Sequence, residues 1–529
     1  MKAIFNFSDA TCTLDGNVVS NADKTISVVA TNGTCTAREV LTTYEQYGES
    51  CLKYLSGVCA FCVWDSNTKT LFSARDRMGE KSLYYAQLPT QLIISSDLHD
   101  IIPYLAYPAV NILNLAQPIR YNFPIDLQQT WIEQIKRVRA GECLLVNENG
   151  IRSRIYWKRR HTSSFMGTKV EAQQHALQLL RKSVKKCVET AQGPVAILLS
   201  GGIDSTSLAA LTKEIQQEVH VFCAGYSGNN YTACDERAEA RRFAEEKGLI
   251  FHEIELQQKD YEQALKEYSA IIDEPCFDVS CTAQYLLYKH VAEMGFKVIL
   301  SGLGGDELFY SYAGHHKEAQ ALALRHEFYQ LYPIRKNFKK YLRFVVRNYK
   351  YMLLPNYPAR IDESMLTDWT YNDYKSFADD AILNGIPMAD IDVQTQFQEK
   401  VTVQDMYDYL GATFAVNMCV YLGNKLCNAN GIELRCPFLA PELVEFLDTL
   451  PIDMKFDVNQ PKRFQKEMMA GIIPNYILYA RKRGFEPPFE FIRPIAGSYK
   501  YKHFSATHCF YNSMMADLLV ENQLFKAMA

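Results

Sequence analysis

The sequence predicts a mixed chain, β-rich at first and α/β afterwards, and two observations carry that reading. Up to about residue 158, short apolar runs alternate with turn residues, the pattern of a mostly β unit with few helices. From Val195 onward, apolar runs alternate with longer helical ones, the signature of parallel strands joined by crossover helices. A length of 529 residues allows two or more domains with ample cores.

In the first part, strands are expected at Thr25 to Ala30, Val58 to Trp64, Thr70 to Ser73, Gln91 to Ser95 and Glu142 to Val146. The polar stretch Arg159 to Ser164 then reads as a linker, which divides the chain into 1–158, a connection over 159–169, and 170–529. A helical pattern from about Val170 to Ala191 opens the second part. Strands follow at Val195 to Leu199, Glu218 to Ala224, Ile250 to Ile254 and Val298 to Ser301, with helical runs such as Asp235 to Lys247 and Thr282 to Glu293 between them. The remainder, from about residue 315, is largely helical in pattern. Ligands of such a sheet are expected at the carboxyl ends of its strands.

Composition narrows the class. A net charge of -4 and a pI near 6.3 give no general attraction to nucleic acid or to an anionic membrane. No apolar stretch approaches the length of a membrane span, and Met1 to Asp9 turns polar too soon for a signal peptide. A soluble, cytoplasmic enzyme is the expectation. The 15 cysteines lie mostly in apolar segments such as Val58 to Val63, which suits small buried thiols in a reducing compartment. Cys59 and Cys62 form a CxxC, but without a second pair at zinc spacing they read as core.

Two glycine turns follow apolar strands. The first is Leu198-Leu199-Ser200-Gly201-Gly202-Ile203-Asp204-Ser205, before a helix expected near Thr206. Glycines let a backbone approach phosphate, and helix-start amides point at an anion. An aspartate beside phosphates makes sense chiefly with a divalent cation between them. Taken alone, the same residues also suit an ordinary capped turn. The second turn is Ser301-Gly302-Leu303-Gly304-Gly305-Asp306-Glu307. If both strands share a sheet, Asp204 and Asp306 could share Mg²⁺ on a pyrophosphate. A basic segment, Arg481-Lys482-Arg483-Gly484-Phe485, could supply a cation, or could be a solvated charge run.

Taken in order, these segments resemble the asparagine synthetase superfamily. Ser200 to Ser205, Leu300 to Phe309, Gly431-Ile432-Glu433-Leu434-Arg435-Cys436-Pro437-Phe438-Leu439 and Arg481 to Phe485 resemble its synthetase motifs. Leu55 to Asp65 and Ala74-Arg75-Asp76-Arg77-Met78-Gly79-Glu80-Lys81-Ser82-Leu83-Tyr84-Tyr85 are similar to its glutaminase domain. The resemblance implies an Ntn-hydrolase-like αββα sandwich, here a degenerate glutaminase, followed by a PP-loop ATP-pyrophosphatase-type α/β synthetase domain with a helical C-terminal part. It implies a ligase that uses ATP and Mg²⁺. A carboxylate attacks the α-phosphorus, pyrophosphate leaves, and an amine captures the acyl-adenylate. Carried over by position, Leu198, Ser200, Gly201, Gly202, Asp204, Ser205, Ala224, Ser301 and Gly302 would hold the nucleotide. Asp204 and Asp306 would hold the metal, and Lys482 would be the catalytic cation. Glu433 and Arg435 read as a scaffold ion pair, and Glu307 either as functional or as a helix cap.

Departures from the pattern shape the rest. Glutaminase relatives carry a nucleophilic cysteine where this chain has Lys2, and Cys12 is too distant to replace it. No glutaminase activity is expected. That loss with intact synthetase motifs is the pattern of β-lactam synthetases, carbapenam synthetases and lasso-peptide cyclases, whose amine is already on the substrate, as in antibiotic biosynthesis. Leu303 stands where the family often has an acid–base side chain, and leucine moves no proton. Tyr310-Ser311-Tyr312 replaces a slimmer Gly-Gly-Tyr, and Asn424 replaces a common aspartate. Tyr407, Asp408 and Tyr409 are candidate acid–base groups or helix packing. Three readings follow: an amide ligase or cyclase acting on a small-molecule or peptide substrate, an ammonia-dependent amidating synthetase favoured by Leu303, and a non-catalytic nucleotide-binding relative. Nucleic acid and membrane are excluded as partners; a second copy or a biosynthetic partner enzyme stays open.

Overall fold

The computed structural model describes residues 1–111, 114, 126–227, 235–275, 278, 280–311, 407, 411–457, 459–480, 487–488 and 491. Its first part is two antiparallel sheets. One contains β1 (Lys2–Asn6), β2 (Thr11–Asp15), β7 (Tyr84–Gln87), β8 (Gln91–Ser95) and β9 (Lys136–Arg137), in the order β2-β1-β8-β7-β9. The other contains β3 (Val19–Ser20), β4 (Ile26–Ala30), β5 (Phe61–Asp65), β6 (Thr70–Ala74), β10 (Glu142–Asn147) and β11 (Gly150–Ile155), in the order β11-β10-β6-β5-β4-β3. Alternation of side chains explains the sandwich: Ala3, Phe5, Leu92 and Ile94 of the first sheet meet Val29, Cys62, Leu71 and Leu144 of the second in one core. Helix α1 (Ala37–Tyr47) covers the second sheet with Val40, Leu41 and Tyr44. Its start is fixed by a capping box, in which Glu39 N–H donates to Thr36 Oγ1 at 3.2 Å and Thr36 N–H to Glu39 Oε2 at 2.7 Å.

Helix α2 (Lys169–Glu189) repeats that device with Thr168 and Glu171. Its buried residues Ala172, Ala176, Leu180, Val184 and Cys187 recur at helical spacing and face the second sheet system. That system is five parallel strands: β12 (Val195–Leu198), β13 (His220–Tyr226), β14 (Ile250–Leu256), β15 (Val298–Leu300) and β16 (Glu433–Arg435). Their order is β14-β13-β12-β15-β16, so the winding reverses beside β12 and a crevice opens between β12 and β15. The helices α3 (Ile203–Lys213), α4 (Arg237–Lys247), α5 (Gln258–Ile271) and α6 (Cys281–Glu293) cover the two faces. Strand β16 was not expected from the sequence, because three residues are too few to show a period.

The two parts share a core. The outer face of the first sheet, with Tyr84, Ile93 and Trp131, packs against Tyr268, Tyr421 and Leu426 of the second part. A buried polar knot sits in this contact around Asp273. Its carboxylate accepts from Leu98 N–H at 2.7 Å, from the Tyr421 hydroxyl at 2.6 Å and from the Lys425 ammonium. Lys425 also lies 2.9 Å from Asp97, which in turn is 2.8 Å from His99 Nδ1. Asp97, His99 and Asp273 could together hold a cation, and the Lys425 ammonium stands among them. Among the described residues no helix is long and apolar enough to cross a membrane.

This knot predicts a pH signature. Burial alone would lower the His99 pKa, but hydrogen bonding to Asp97 and the charge of Asp273 outweigh it and raise it. A group raised above its unfolded value contributes stability below that value and loses it as the pH climbs through the folded one. The melting midpoint of His99→Gln should therefore fall below that of the parent more at pH 5.5 than at pH 8.5, whereas an equal gap at both would remove the assignment. Lys425→Met should cost about 3–5 kcal/mol by stranding Asp273, and Lys425→Met with Asp273→Leu should recover most of that loss of melting temperature.

Candidate active site at the sheet switch point

Strand β12 ends at Leu198, and the chain turns through Gly201 at φ 70°, a left-handed conformation that glycine adopts without strain. Gly202 is extended at φ -80°, ψ 163° and caps α3, which starts at Ile203, three residues before the expected position. Nothing in the periodicity marks those three residues. The shift matters, because it puts Asp204 inside the first turn of the helix. Ser200 N–H donates to Ser205 Oγ at 3.1 Å, and Ser205 Oγ donates to Gly202 O at 3.3 Å, so Ser205 tightens the turn. Ala224 is buried in β13, two residues before that strand ends.

The second turn is built on the neighbouring strand. Ser301 N–H donates to the Arg435 carbonyl at 3.0 Å, which ties the turn to β16. Gly304, at φ 87°, caps the short helix α7 (Gly305–Leu308). Asp306 lies in that helix. The approach of the two turns is so close that a Cβ on Gly302 would lie 2.8 Å from the Asp204 Cβ, and one on Gly305 would lie 2.4 Å from Asp204 Oδ1. Glycine at these positions is thus dictated by Asp204.

A third segment completes the site. Lys462 is buried, in a left-handed backbone conformation at φ 58°. Its ammonium bonds to Asp204 Oδ2 and lies 2.7 Å from Asp306 Oδ1. Burial would pull its pKa down, but Asp204 and then Asp306 outweigh burial and hold it charged. Gln465, fully buried three residues on, donates its Nε2 to Asp204 Oδ1 at 2.8 Å. Sequence reasoning missed both residues. Lys462 stands among ordinary polar residues, and no local pattern marks it.

Several expectations meet their outcome here. Asp204 and Asp306 come together on one cation; Ser200, Gly201 and Gly202 form the first turn, and Gly302 of the second approaches Asp204. Lys482 and the rest of 481–485 lie outside the described residues, as do Tyr312, Asp408 and Tyr409. Glu433 and Arg435 pair at 2.8 Å, with Arg435 also bonded to Cys187 O at 2.6 Å and Thr190 Oγ1 at 2.8 Å, a scaffold. Glu307 is buried inside α7, whose own cap is Gly304, and any helix after residue 311 that it could cap lies outside the described residues. Leu303 packs against the large interdomain core. Tyr310 and Tyr407 are buried ring against ring, with centroids 4.5 Å apart. Asn424 hydrogen-bonds across the domain contact, from Nδ2 to Glu80 O at 3.0 Å and at Oδ1 from Lys81 Nζ at 2.7 Å.

In the first part, Lys2 opens β1, 3.6 Å from Asp15, with its ammonium over the Tyr104 ring. Burial pushes the Cys12 thiol well up, away from nucleophilic character.

A parallel sheet with two glycine–acid turns at its switch point, joined to a two-sheet sandwich, defines an ATP-using synthetase with an amidotransferase-type domain. The asparagine synthase family profile matches residues 175–500, and that of the glutamine amidotransferase domain matches 26–157. The chain belongs to the asparagine synthase family and is an ATP-dependent amide-forming ligase. It is similar to amidase chry2 of Gibberella zeae, 23% identical over 85% of this chain and 72% of that one. Amidase chyE of Penicillium rubens is likewise 23% identical, over 87% and 74%. Asparagine synthetase [glutamine-hydrolyzing] 3 of Bacillus subtilis is 23% identical over 84% and 69%.

The crowding around Asp204 gives a test. Gly305→Ala should displace that carboxylate and lower ATP-dependent turnover by about 10²-fold, with the melting midpoint little changed. Full turnover in Gly305→Ala would show that the close approach of the turns is dispensable.

Proposed function

We propose that this chain is an AMP- and pyrophosphate-forming ligase or cyclase that adenylates a substrate carboxylate and joins it to an amine on the same molecule, without glutaminase chemistry. The observation that carries the reading is the Asp204–Lys462–Asp306 bridge at the carboxyl ends of β12 and β15. Two carboxylates that converge on one buried cation are hard oxygen donors suited to a divalent metal. Asp204 and Asp306 would hold Mg²⁺, which would neutralise pyrophosphate charge. The amides around Gly201 and Gly202, at the positive end of α3, face the anion. Lys462 holds the two carboxylates together in the free enzyme and offers its ammonium to phosphate oxygens when nucleotide arrives. In the first step the carboxylate oxygen bonds to the α-phosphorus and the bond to the bridging oxygen of pyrophosphate breaks. In the second, the amine nitrogen bonds to the acyl carbon, AMP leaves, and the amine gives up a proton. Lys482 is proposed as a further cation for these charges.

The half-buried Cys12, whose thiol burial pushes up, supports the absence of glutamine hydrolysis. An amine carried by the substrate has a high effective concentration and makes no call on ammonia. Leu303 favours the second reading, an ammonia-dependent amidation of a small carboxylate, and the names of the two fungal relatives are in keeping with it.

Asp204→Asn, Asp306→Asn and Lys462→Met should each lower ATP-dependent pyrophosphate release by about 10²–10³-fold; unchanged release in all three would dispose of the proposed site. Ammonia release from glutamine should stay at background, and measurable turnover would exclude the glutaminase-free reading. Aspartate with ammonia should yield no AMP, whereas AMP formation would select the ammonia-dependent synthetase.

A further inference from the structure

Away from the switch point, a cavity of about 130 Å³ lies between the two parts, well above the ~15 Å³ that one water needs. Both domains build its wall: Thr34, Ser56 and Glu80 from the first, Lys182, Lys186 and Arg435 from the second. Most of its charges are already engaged. Arg435 is held by Glu433, Lys81 by Asn424, and Glu442 accepts from Ser56 Oγ at 2.8 Å. Two features are left over.

The first is Glu80, which is 4% exposed and has the Cys436 thiol beside it. Its Oε1 has no hydrogen-bond partner among the described residues. An unpaired buried polar atom is costly to leave without a partner, so such a group calls for one from the cavity. Burial, and then the neighbouring Asp76 charge, push the Glu80 carboxyl up to about 8, so at neutral pH it mostly carries a proton to donate. The second is the pair Lys182 and Lys186, one turn apart on α2. Lys182 is exposed and Lys186 half-buried, with Lys186 giving one bond to Ser56 O at 3.0 Å. Against burial and beside the Ser56 bond, their charges help lower the pKa of the Glu442 carboxyl on the same wall, and two ammoniums against that one carboxylate leave a net positive charge in the cavity that Glu80 also lines.

We propose that this cavity is a binding site for a small dicarboxylic acid, one carboxylate on Lys182 and Lys186 and an oxygen of its other end accepting from Glu80. Such a ligand joins the two domains. It also lies one strand from the nucleotide turn, because Arg435 lines the cavity while its carbonyl holds Ser301 N–H. Occupancy therefore stiffens β16 and the turn that β16 supports, which makes the ligand an effector rather than a substrate.

Succinate is the probe, tested against succinamide, a neutral molecule of similar shape, at matched ionic strength and without ATP. At about 10 mM, succinate should raise the melting midpoint of the full chain by about 2 °C or more, and succinamide should not. Lys182→Ala with Lys186→Ala, both away from the core, should abolish the rise. Asp204→Asn should keep it, which separates this cavity from the carboxylate that the synthetase site activates. An equal rise in the lysine double variant, a rise lost in Asp204→Asn, or no rise with malonate, succinate or glutarate would overturn the proposal, the last leaving the cavity to water.

Discussion

The active site depends on one buried ammonium. Asp204 and Asp306 stand at the ends of adjacent strands, so close that glycine is required where the turns touch, and two carboxylates so placed repel each other. Lys462 removes that conflict, because its charge falls between them in a medium where attraction is poorly screened. Geometry then follows from electrostatics. Gln465 adds a neutral donor to the remaining Asp204 oxygen, so the carboxylate has little freedom to rotate. The crevice between β12 and β15 is thereby held in one arrangement.

How much of this was legible in the sequence depends on the range of each signal. Strands β12 to β15 and helix α2 were readable because burial makes the strands apolar runs and gives the helix a period. So were the two turns, since glycine beside aspartate after an apolar run has few other uses. Strands β1, β2 and β7 escaped although none is shorter than β12, because each buries two residues or none. Lys462 escaped for a different reason: its meaning comes from the fold, which carries it to residues 258 and 156 positions away in the chain. The Asn424 substitution was read as hydrogen bonding or altered amine recognition, and the contact with Lys81 and Glu80 now gives it a role between domains.

That contact also ties the first domain to the second, whatever chemistry the first domain carries. Tyr84, Ile93 and Trp131 on the outer face of the first sheet are fully buried, and much of what covers them belongs to the second part. Removing the first domain would expose this apolar surface and strand Asp273, which Leu98 N–H and His99 help to balance. The physical debt runs both ways, since the synthetase helices α5 and α8 (Tyr421–Ala429) meet the same core.

The two halves of the proposed reaction are therefore under different constraints. Carboxylate activation needs charges at fixed places, and the sheet supplies them rigidly through β12, β15 and β16. Amine attack needs proximity and the loss of one proton, and Leu303, at the turn that faces the crevice, can supply neither acid nor base. Tethering the amine to the acyl group meets the first need by effective concentration. It also relaxes the second, since an amine already in place can lose its proton after the bond begins to form, to a phosphate oxygen or to solvent. Lys2 in the first domain thus points to a nucleophile that arrives with the substrate, and Leu303, although it favours free ammonia, is compatible with that route on this account.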